Sequence, residues 1–276
     1  MNKVPIRRLC ARHNSLRKDA RLVSFFLCNS CFIELKSKAL NNKDPEFPRN
    51  NYVLEGYCSN CNKLTKVKQY FWYLCEICTR IIRSYGKEKA AREFILNQWE
   101  NLKNKHNIDI TLEVVDEVRI MTYNEHLEYK KNIKPQPDFI GLRNKEIVFN
   151  IEMKTGSSDI SSMSAFQLDV SDCNDIIGFM ARDEYKVPTF IFHVQVVEDY
   201  MPPTTRNVAL NAWWASVYEL ENAYLKSNMR RLERRQAVYY STTAFKPFDE
   251  FLLFIFSERF EKEKEIVKKR LPKLYR

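Results

Sequence analysis

Four short pairs of potential metal ligands constrain the first 80 residues of the chain. They are Cys10 and His13, Cys28 and Cys31, Cys58 and Cys61, and Cys75 and Cys78. Each pair has two intervening residues, so both side chains can bind one ion from a tight turn, and a tetrahedral Zn²⁺ needs two such pairs. Taken in chain order, the pairs predict a Cys₃His site of Cys10, His13, Cys28 and Cys31, followed by a Cys₄ site of Cys58, Cys61, Cys75 and Cys78. Four protein ligands leave no position for water, so both zinc ions should be structural.

A framework of disulfides is the main alternative, and the cysteine count argues against it. Seven of the eight cysteines lie in this segment, an odd number, and the eighth, Cys173, is expected to be a buried structural residue. The N-terminal sequence lacks the apolar stretch of a signal peptide, and no apolar run approaches the ~18 residues of a membrane span. We therefore expect a cytoplasmic protein with reduced cysteines and no membrane segment.

Positive charge is concentrated in the same segment. Residues 1–80 contain 15 Lys or Arg and 6 Asp or Glu, a net of +9, whereas the other 196 residues contain 30 and 29, a net of +1. A basic, zinc-stabilised scaffold suits contact with nucleic acid, and DNA is the expected partner. Two alternatives stay open at this point: a solvated basic surface without a partner, and docking to another protein. The aromatic run from Tyr70 to Tyr73 is expected to form the small core of this module.

Past residue 80 the pattern changes to that of an ordinary α/β protein. We predict two domains, a zinc-binding module over residues 1–84 and a larger domain over residues 85–276. Helices are predicted over about 87–105, 163–183, 212–234 and 247–269, and strands over 109–115, on either side of the turn Arg143–Glu146, and over 187–197. This order of elements predicts a mixed central sheet with helices on both faces.

An unusual polar sequence ends the second strand of the predicted hairpin. The apolar run Ile147–Ile151 leads directly into Glu152, Met153 and Lys154. Alternate residues of a strand share a face, so Glu152 and Lys154 should point the same way, and pairing across the turn should bring Asp138 near them. Two carboxylates form an oxygen-ligand site suited to Mg²⁺. With an adjacent lysine, such a site can hydrolyse phosphodiesters.

These residues resemble the PD-(D/E)xK nuclease superfamily. Pro137-Asp138 is followed, after thirteen intervening residues, by Glu152-x-Lys154. The resemblance covers about residues 85–200. It implies a restriction-endonuclease-like core, a Mg²⁺-dependent endonuclease of the type II restriction class, Asp138 and Glu152 as metal ligands, Lys154 as a catalytic residue, and a homodimer that cuts double-stranded DNA.

The resemblance also implies two further site residues. Gln167 lies where some members have an active-site glutamine, and the helix before the motif often supplies an acidic residue, for which Glu93 is preferred to Glu100. His193 is expected to be a core histidine. The alternatives are a structure-specific nuclease of the same superfamily, such as a junction resolvase or a repair or transposon-end nuclease, and a non-catalytic zinc-finger protein that binds DNA.

Overall fold

The computed structural model describes residues 8–10, 15–17, 20–38, 53–74, 76–115, 134–202, 204–230 and 235–275. Its strands are β1 Arg8–Cys10, β2 Ser15–Arg17, β3 Arg21–Leu27, β4 Leu54–Tyr57, β5 Leu64–Leu74, β6 Thr111–Val114, β7 Phe139–Arg143, β8 Glu146–Gly156, β9 Phe166–Asp169, β10 Thr189–Met201, β11 Thr204–Ser216, β12 Tyr224–Arg230, β13 Arg235–Tyr240 and β14 Lys246–Pro247. Its α-helices are α1 Asn29–Lys38, α2 Glu76–His106, α3 Val170–Met180, α4 Val217–Asn222, α5 Glu250–Ile255 and α6 Glu258–Lys269.

The described residues form two compact units. The first contains those of Met1–Arg92 together with the segment Val197–Val208, and the second contains those of Glu93–Glu117, Lys134–Val196 and Ala209–Arg276. The domain boundary predicted after residue 84 falls inside α2. The two units of the structure also divide inside this helix, between Arg92 and Glu93.

A three-stranded antiparallel sheet in the order β3-β5-β4 organises the first unit. Both outer strands run antiparallel to β5, so β3 and β4 run in the same direction along it. Tyr70 and Trp72 are buried in the core of this unit and stack with ring centroids 5.8 Å apart. The predicted small aromatic core is therefore present.

The central sheet has the strand order β14-β11-β10-β8-β7-β6. Strands β6, β7 and β8 are antiparallel neighbours, and β10 lies parallel to β8. The turn between β7 and β8 consists of Asn144 and Lys145, whose φ angles are 53° and 67°. Both angles lie in the left-handed region, as the twist of a two-residue hairpin loop requires. The structure is thus a mixed α/β fold with a mixed sheet, as predicted.

Side chains cover both faces of this sheet. On one face, Phe190 packs against Phe149 and, from α5, against Phe251 and Phe254, with ring centroids 5.0–6.2 Å apart. On the other face, Ile191 belongs to a core cluster that includes four buried residues of α3, namely Cys173, Ile176, Phe179 and Met180. Burying each large apolar side chain contributes roughly 1.5–3 kcal/mol, so the sheet is fixed from both sides. The predicted burial of Cys173 is confirmed.

Three of the four predicted helices differ from the structure. The helix predicted over 163–183 is divided into β9 and α3, because Phe166 and Leu168 are buried with strand alternation and β9 pairs with β13. The helix predicted over 212–234 is wrong, because that segment contains the end of β11, the short α4 and β12. The last predicted helix is two helices, α5 and α6, and Ser257 caps the second by accepting a hydrogen bond from Phe260 N. The helix predicted over 87–105 lies within the longer α2.

Candidate functional site

Asp138 lies directly before β7 and is held against β8 by its own carboxylate. Its backbone carbonyl accepts a hydrogen bond from Val115 N at 3.0 Å, next to the end of β6. Its side-chain Oδ2 accepts a hydrogen bond from Met153 N at 2.7 Å. Phe139 pairs with Ile151, so the same register places Asp138 opposite Glu152. The carboxylate therefore reaches β8 between Glu152 and Lys154, and only 9% of the residue is exposed.

Glu152 and Lys154 share the face of β8 that α3 covers. Lys154 Nζ lies 2.8 Å from Glu152 Oε1, and the lysine and glutamate side chains are 25% and 14% exposed. In the parallel neighbour β10 the partner of Lys154 is His193 and that of Glu152 is Ile191, the residue that packs with α3. The structure thus brings together the three side chains that the hairpin pattern predicted to converge.

A third carboxylate, Asp172, joins this cluster from the first turn of α3. Its Oδ1 lies 3.2 Å from Lys154 Nζ, so the ammonium contacts a carboxylate of the helix as well as one of the sheet. Its Oδ2 accepts a hydrogen bond from Asp169 N at 3.3 Å, as half of a capping box at the helix start. Asp172 is absent from the predicted site because the helix predicted over 163–183 places it in the helix interior rather than in the first turn. The signal that indicates it is the spacing Asp169-x-x-Asp172, which is typical of a helix N-terminus.

The side chains of Asp138, Glu152, Lys154 and Asp172 are named here the Lys154 cluster, and burial and neighbouring charges shift the pKa values of Glu152 and Lys154. Burial, which Lys154 partly offsets and Asp138 reinforces, raises the pKa of Glu152 to about 8. Burial lowers the pKa of Lys154, but the neighbouring Glu152 and Asp172 more than offset this effect and raise that pKa above its ordinary value. The lysine is therefore predominantly a cation at neutral pH. A divalent cation at Asp138 and Glu152 fits the donor set, because it would relieve the repulsion between two carboxylates whose oxygens are ligands that Mg²⁺ prefers.

The other predicted site residues lie on β9 and α2. Gln167 is on β9, not on a helix, opposite Tyr239 of β13. Glu93 and Glu100 lie on the exposed side of α2, and Glu100 Oε1 is 3.7 Å from Lys103 Nζ. Their roles at a metal site stay predictions.

His193 has the surroundings of a core residue. Its Nε2 is 3.0 Å from the Ser158 carbonyl oxygen, and its ring packs edge-on against Phe166. A Cβ at Gly156 would lie 2.7 Å from the His193 ring, so the glycine makes room for it. Burial lowers the pKa of His193, which favours the neutral form.

Four cysteines of the first unit lie close together and are named here the Cys₄ cluster. It consists of Cys28, Cys31, Cys58 and Cys61, whose Sγ atoms all lie within 4.8 Å of one another. All four are buried and none is in a disulfide. The cluster fits a tetrahedral structural Zn²⁺.

The ligand sets predicted in chain order are therefore wrong. Cys28 and Cys31 meet Cys58 and Cys61, whereas the prediction in chain order grouped them with Cys10 and His13. The two pairs that meet follow β3 and β4, which run in the same direction along β5. His13 and Cys75 lie outside the described residues, as do the side chains of Cys10 and Cys78.

Backbone hydrogen bonds hold the turn that carries Cys58 and Cys61. Ser59 N donates to the Phe26 carbonyl at 2.7 Å, and Phe26 N donates to Ser59 Oγ at 3.0 Å. Cys28 N lies 3.4 Å from Cys58 Sγ, a hydrogen bond that stabilises a thiolate. Hydrogen bonds from Cys31 and Cys58 lower the pKa of Cys61 to about 2. The cluster thus favours at least one thiolate, the form that binds zinc.

Comparison with known proteins finds no matching family model, no matching curated protein and no matching solved structure. Within the part of the chain that the structure describes, no helix is both long and apolar enough to cross a membrane.

Proposed function

We propose that this protein is a Mg²⁺-dependent endonuclease that hydrolyses phosphodiester bonds of double-stranded DNA. The observation that carries the proposal is the convergence of Asp138, Glu152 and Lys154 on one face of the central sheet, beside the start of β7. The order of elements adds support: α2, then β6, β7 and β8, then α3 and the parallel strand β10. This order agrees with the PD-(D/E)xK resemblance, in which a helix precedes the motif and a helix and a strand follow it.

The roles of the residues follow from their chemistry. Asp138 and Glu152 hold the metal ion, which supplies Lewis acidity toward the phosphoryl group. Lys154 keeps its positive charge beside Glu152, where it orients the attacking water and stabilises negative charge on the phosphoryl oxygens. Within the class we favour a type II restriction endonuclease that acts as a homodimer, because symmetric cleavage of two strands needs two such sites.

Cleavage of long duplex DNA of mixed sequence tests the proposal. We expect cleavage with Mg²⁺ and none with Ca²⁺ or EDTA. Asp138→Asn, Glu152→Gln and Lys154→Met should each lower the rate by roughly 10²-fold or more, since each removes a group from the transition state. Lys145→Ala, in the exposed turn of the same hairpin, is the matched control and should keep full activity.

The fragment ends distinguish the kinds of nuclease. Discrete fragments with a shared end sequence indicate a restriction-type enzyme, whereas cutting confined to branched or nicked duplexes indicates a structure-specific nuclease. An inactive protein that still binds duplex DNA would support the non-catalytic zinc-finger alternative and overturn the enzyme proposal.

The first unit is proposed to contact the DNA backbone. Lys63, Lys66 and Lys68 are exposed on and beside β5. Each lysine–phosphate contact releases counterions, so changing all three to Gln should flatten the plot of log affinity against log salt by roughly 0.9 per lost contact. The control changes Lys262, Lys268 and Lys269 of α6 to Gln, which removes the same charge from the second unit. Equal slopes for the two triple variants would instead favour protein–protein docking by the first unit.

A second structural zinc is also proposed, with revised ligands. With two pairs used in the Cys₄ cluster, the remaining pairs are Cys10 with His13 and Cys75 with Cys78. Strand β1, which ends at Cys10, contacts β5, which ends at Leu74 directly before Cys75. Elemental analysis should give two zinc ions per chain. A double variant of Cys10 and Cys75 to Ser should retain one, and retention of both would overturn these ligands.

A further inference from the structure

Lys154 has two carboxylate partners, and only one of them belongs to the proposed metal site. Nζ lies 2.8 Å from Glu152 Oε1 and 3.2 Å from Asp172 Oδ1. Glu152 extends from the same strand as the lysine, whereas Asp172 comes from α3, which follows β9 in the chain. The ammonium is thus held between the sheet and a helix that packs on it.

Both oxygens of Asp172 already have partners. Oδ1 contacts the ammonium, and Oδ2 accepts a hydrogen bond from Asp169 N. Because a capping box fixes the first turn of a helix, this second bond holds the carboxylate in one orientation. The buried residues Cys173 and Ile176 of the same helix anchor it against the sheet. Asp172 is therefore a fixed partner for Lys154.

From this geometry we infer that Asp172 is a positioning residue, which keeps the ammonium of Lys154 in place when Glu152 is engaged by a metal ion. The inference rests on the proposed nuclease function of the same site. A cation at Asp138 and Glu152 competes with Lys154 for Glu152. A lysine has several rotatable bonds, and without a second anchor its ammonium would move away from the reacting phosphate. Asp172 supplies that second anchor for the ammonium, because it is not one of the proposed metal ligands Asp138 and Glu152.

A purely structural role makes a different prediction, since capping the helix needs only an acceptor at position 172. Asn supplies an amide oxygen of the same reach but no charge, so Asp172→Asn should keep the cap and the fold. Asp172→Glu restores the charge at a greater length. Asp175→Asn is the matched control, since it removes one negative charge from the exposed side of the same helix one turn later.

The test combines steady-state cleavage with chemical labelling of Lys154. Asp172→Asn should lower kcat by roughly 10- to 100-fold at unchanged KM for DNA, because misplacing a catalytic group by about 1 Å has an effect of that size. Asp172→Glu should recover part of kcat, and Asp175→Asn should match the unaltered protein. Full kcat in Asp172→Asn would overturn the inference in favour of a capping role, because the amide oxygen still caps the helix. A loss of kcat that is accompanied by a fall in melting temperature would overturn it in favour of a role in folding.

Labelling separates failure of this inference from failure of the proposed function. Modification of Lys154 by a small amine-reactive reagent is measured by mass spectrometry with and without Mg²⁺. In Asp172→Asn, labelling should rise by roughly threefold or more over the unaltered protein, and the rise should be larger with Mg²⁺, since the metal engages the remaining partner Glu152. Unchanged labelling refutes the role of Asp172 whether or not DNA is cut. If labelling increases in Asp172→Asn but the unaltered protein cuts no DNA, the contact of Asp172 with Lys154 is confirmed and only the nuclease proposal is refuted.

Discussion

The raised pKa of Glu152 makes metal binding at the Lys154 cluster depend on pH in a defined direction. In the metal-free protein, burial is the main cause that raises this pKa to about 8; Lys154 opposes the rise, and Asp138 and Asp172 add to it. A divalent cation binds the carboxylate anion, so a proton on Glu152 competes with it. Affinity should therefore rise with pH and level off above about 8.

The size of the effect follows from the fraction of Glu152 that is ionised. With a pKa of about 8, roughly a tenth is ionised at pH 7 and a hundredth at pH 6, so apparent affinity should fall roughly 100-fold between pH 9 and pH 6, or about 2.7 kcal/mol. At pH 7 each metal ion should release about 0.9 proton, and at pH 9 about 0.1.

Calorimetry of Mg²⁺ or Mn²⁺ binding at pH 6, 7, 8 and 9 measures both quantities, since titration in two buffers of different ionisation enthalpy gives the number of protons released. Glu152→Gln should bind weakly and release no proton. The control Glu146→Gln, at the exposed start of the same strand, should behave as the unaltered protein. Affinity that stays constant from pH 6 to pH 8 would refute the reasoning, because Glu152 would then be ionised before the metal arrives.

Three further predictions concern the two units. Cys58→Ser should remove zinc from the Cys₄ cluster while Cys173→Ser, at an equally buried cysteine, should retain it, as elemental analysis would show. Phe190→Ala should lower the free energy of unfolding by about 3–5 kcal/mol, whereas Leu253→Ala, at a side chain 77% exposed, should change it by less than about 0.5 kcal/mol in urea denaturation. Asn62→Ala should destabilise the first unit by about 1–2 kcal/mol more than Asn62→Gly, because φ at this residue is 56° and the Cβ of alanine disfavours this left-handed conformation. Equal losses of stability in thermal unfolding would contradict this reasoning.

The sequence predicts the central hairpin well because its signals are local. Alternation around the turn Arg143–Glu146 defines the pairing, and pairing decides that Glu152 and Lys154 share a face near Asp138. Asp172 depends on tertiary structure: it reaches Lys154 only because α3 packs on the sheet after the intervening strand β9.

The helix predicted over 212–234 is wrong because pairing between strands outweighs the local spacing of apolar residues. Trp213, Trp214, Val217 and Leu220 recur at intervals typical of a helix, yet the two tryptophans lie on β11, where they pair with β14. Tertiary structure also decides how the cysteine pairs group. Their spacing identifies the ligands, but the direction of β3 and β4 decides which pairs meet.

The segment Val197–Val208 makes the first unit discontinuous in the gene. Tyr57 N donates to Thr204 Oγ1 at 2.9 Å, Asn207 N donates to Asn62 Oδ1 at 2.8 Å, and Asn62 Nδ2 returns a bond to the Asn207 carbonyl. A fragment that stops at Arg92 would leave these groups to water and remove the contacts beside the Cys58–Cys61 turn. The first unit is therefore not encoded by one continuous stretch of the chain. Recombination or protein engineering that exchanges the N-terminal segment must also match a stretch encoded far downstream, so the two stretches are expected to change together.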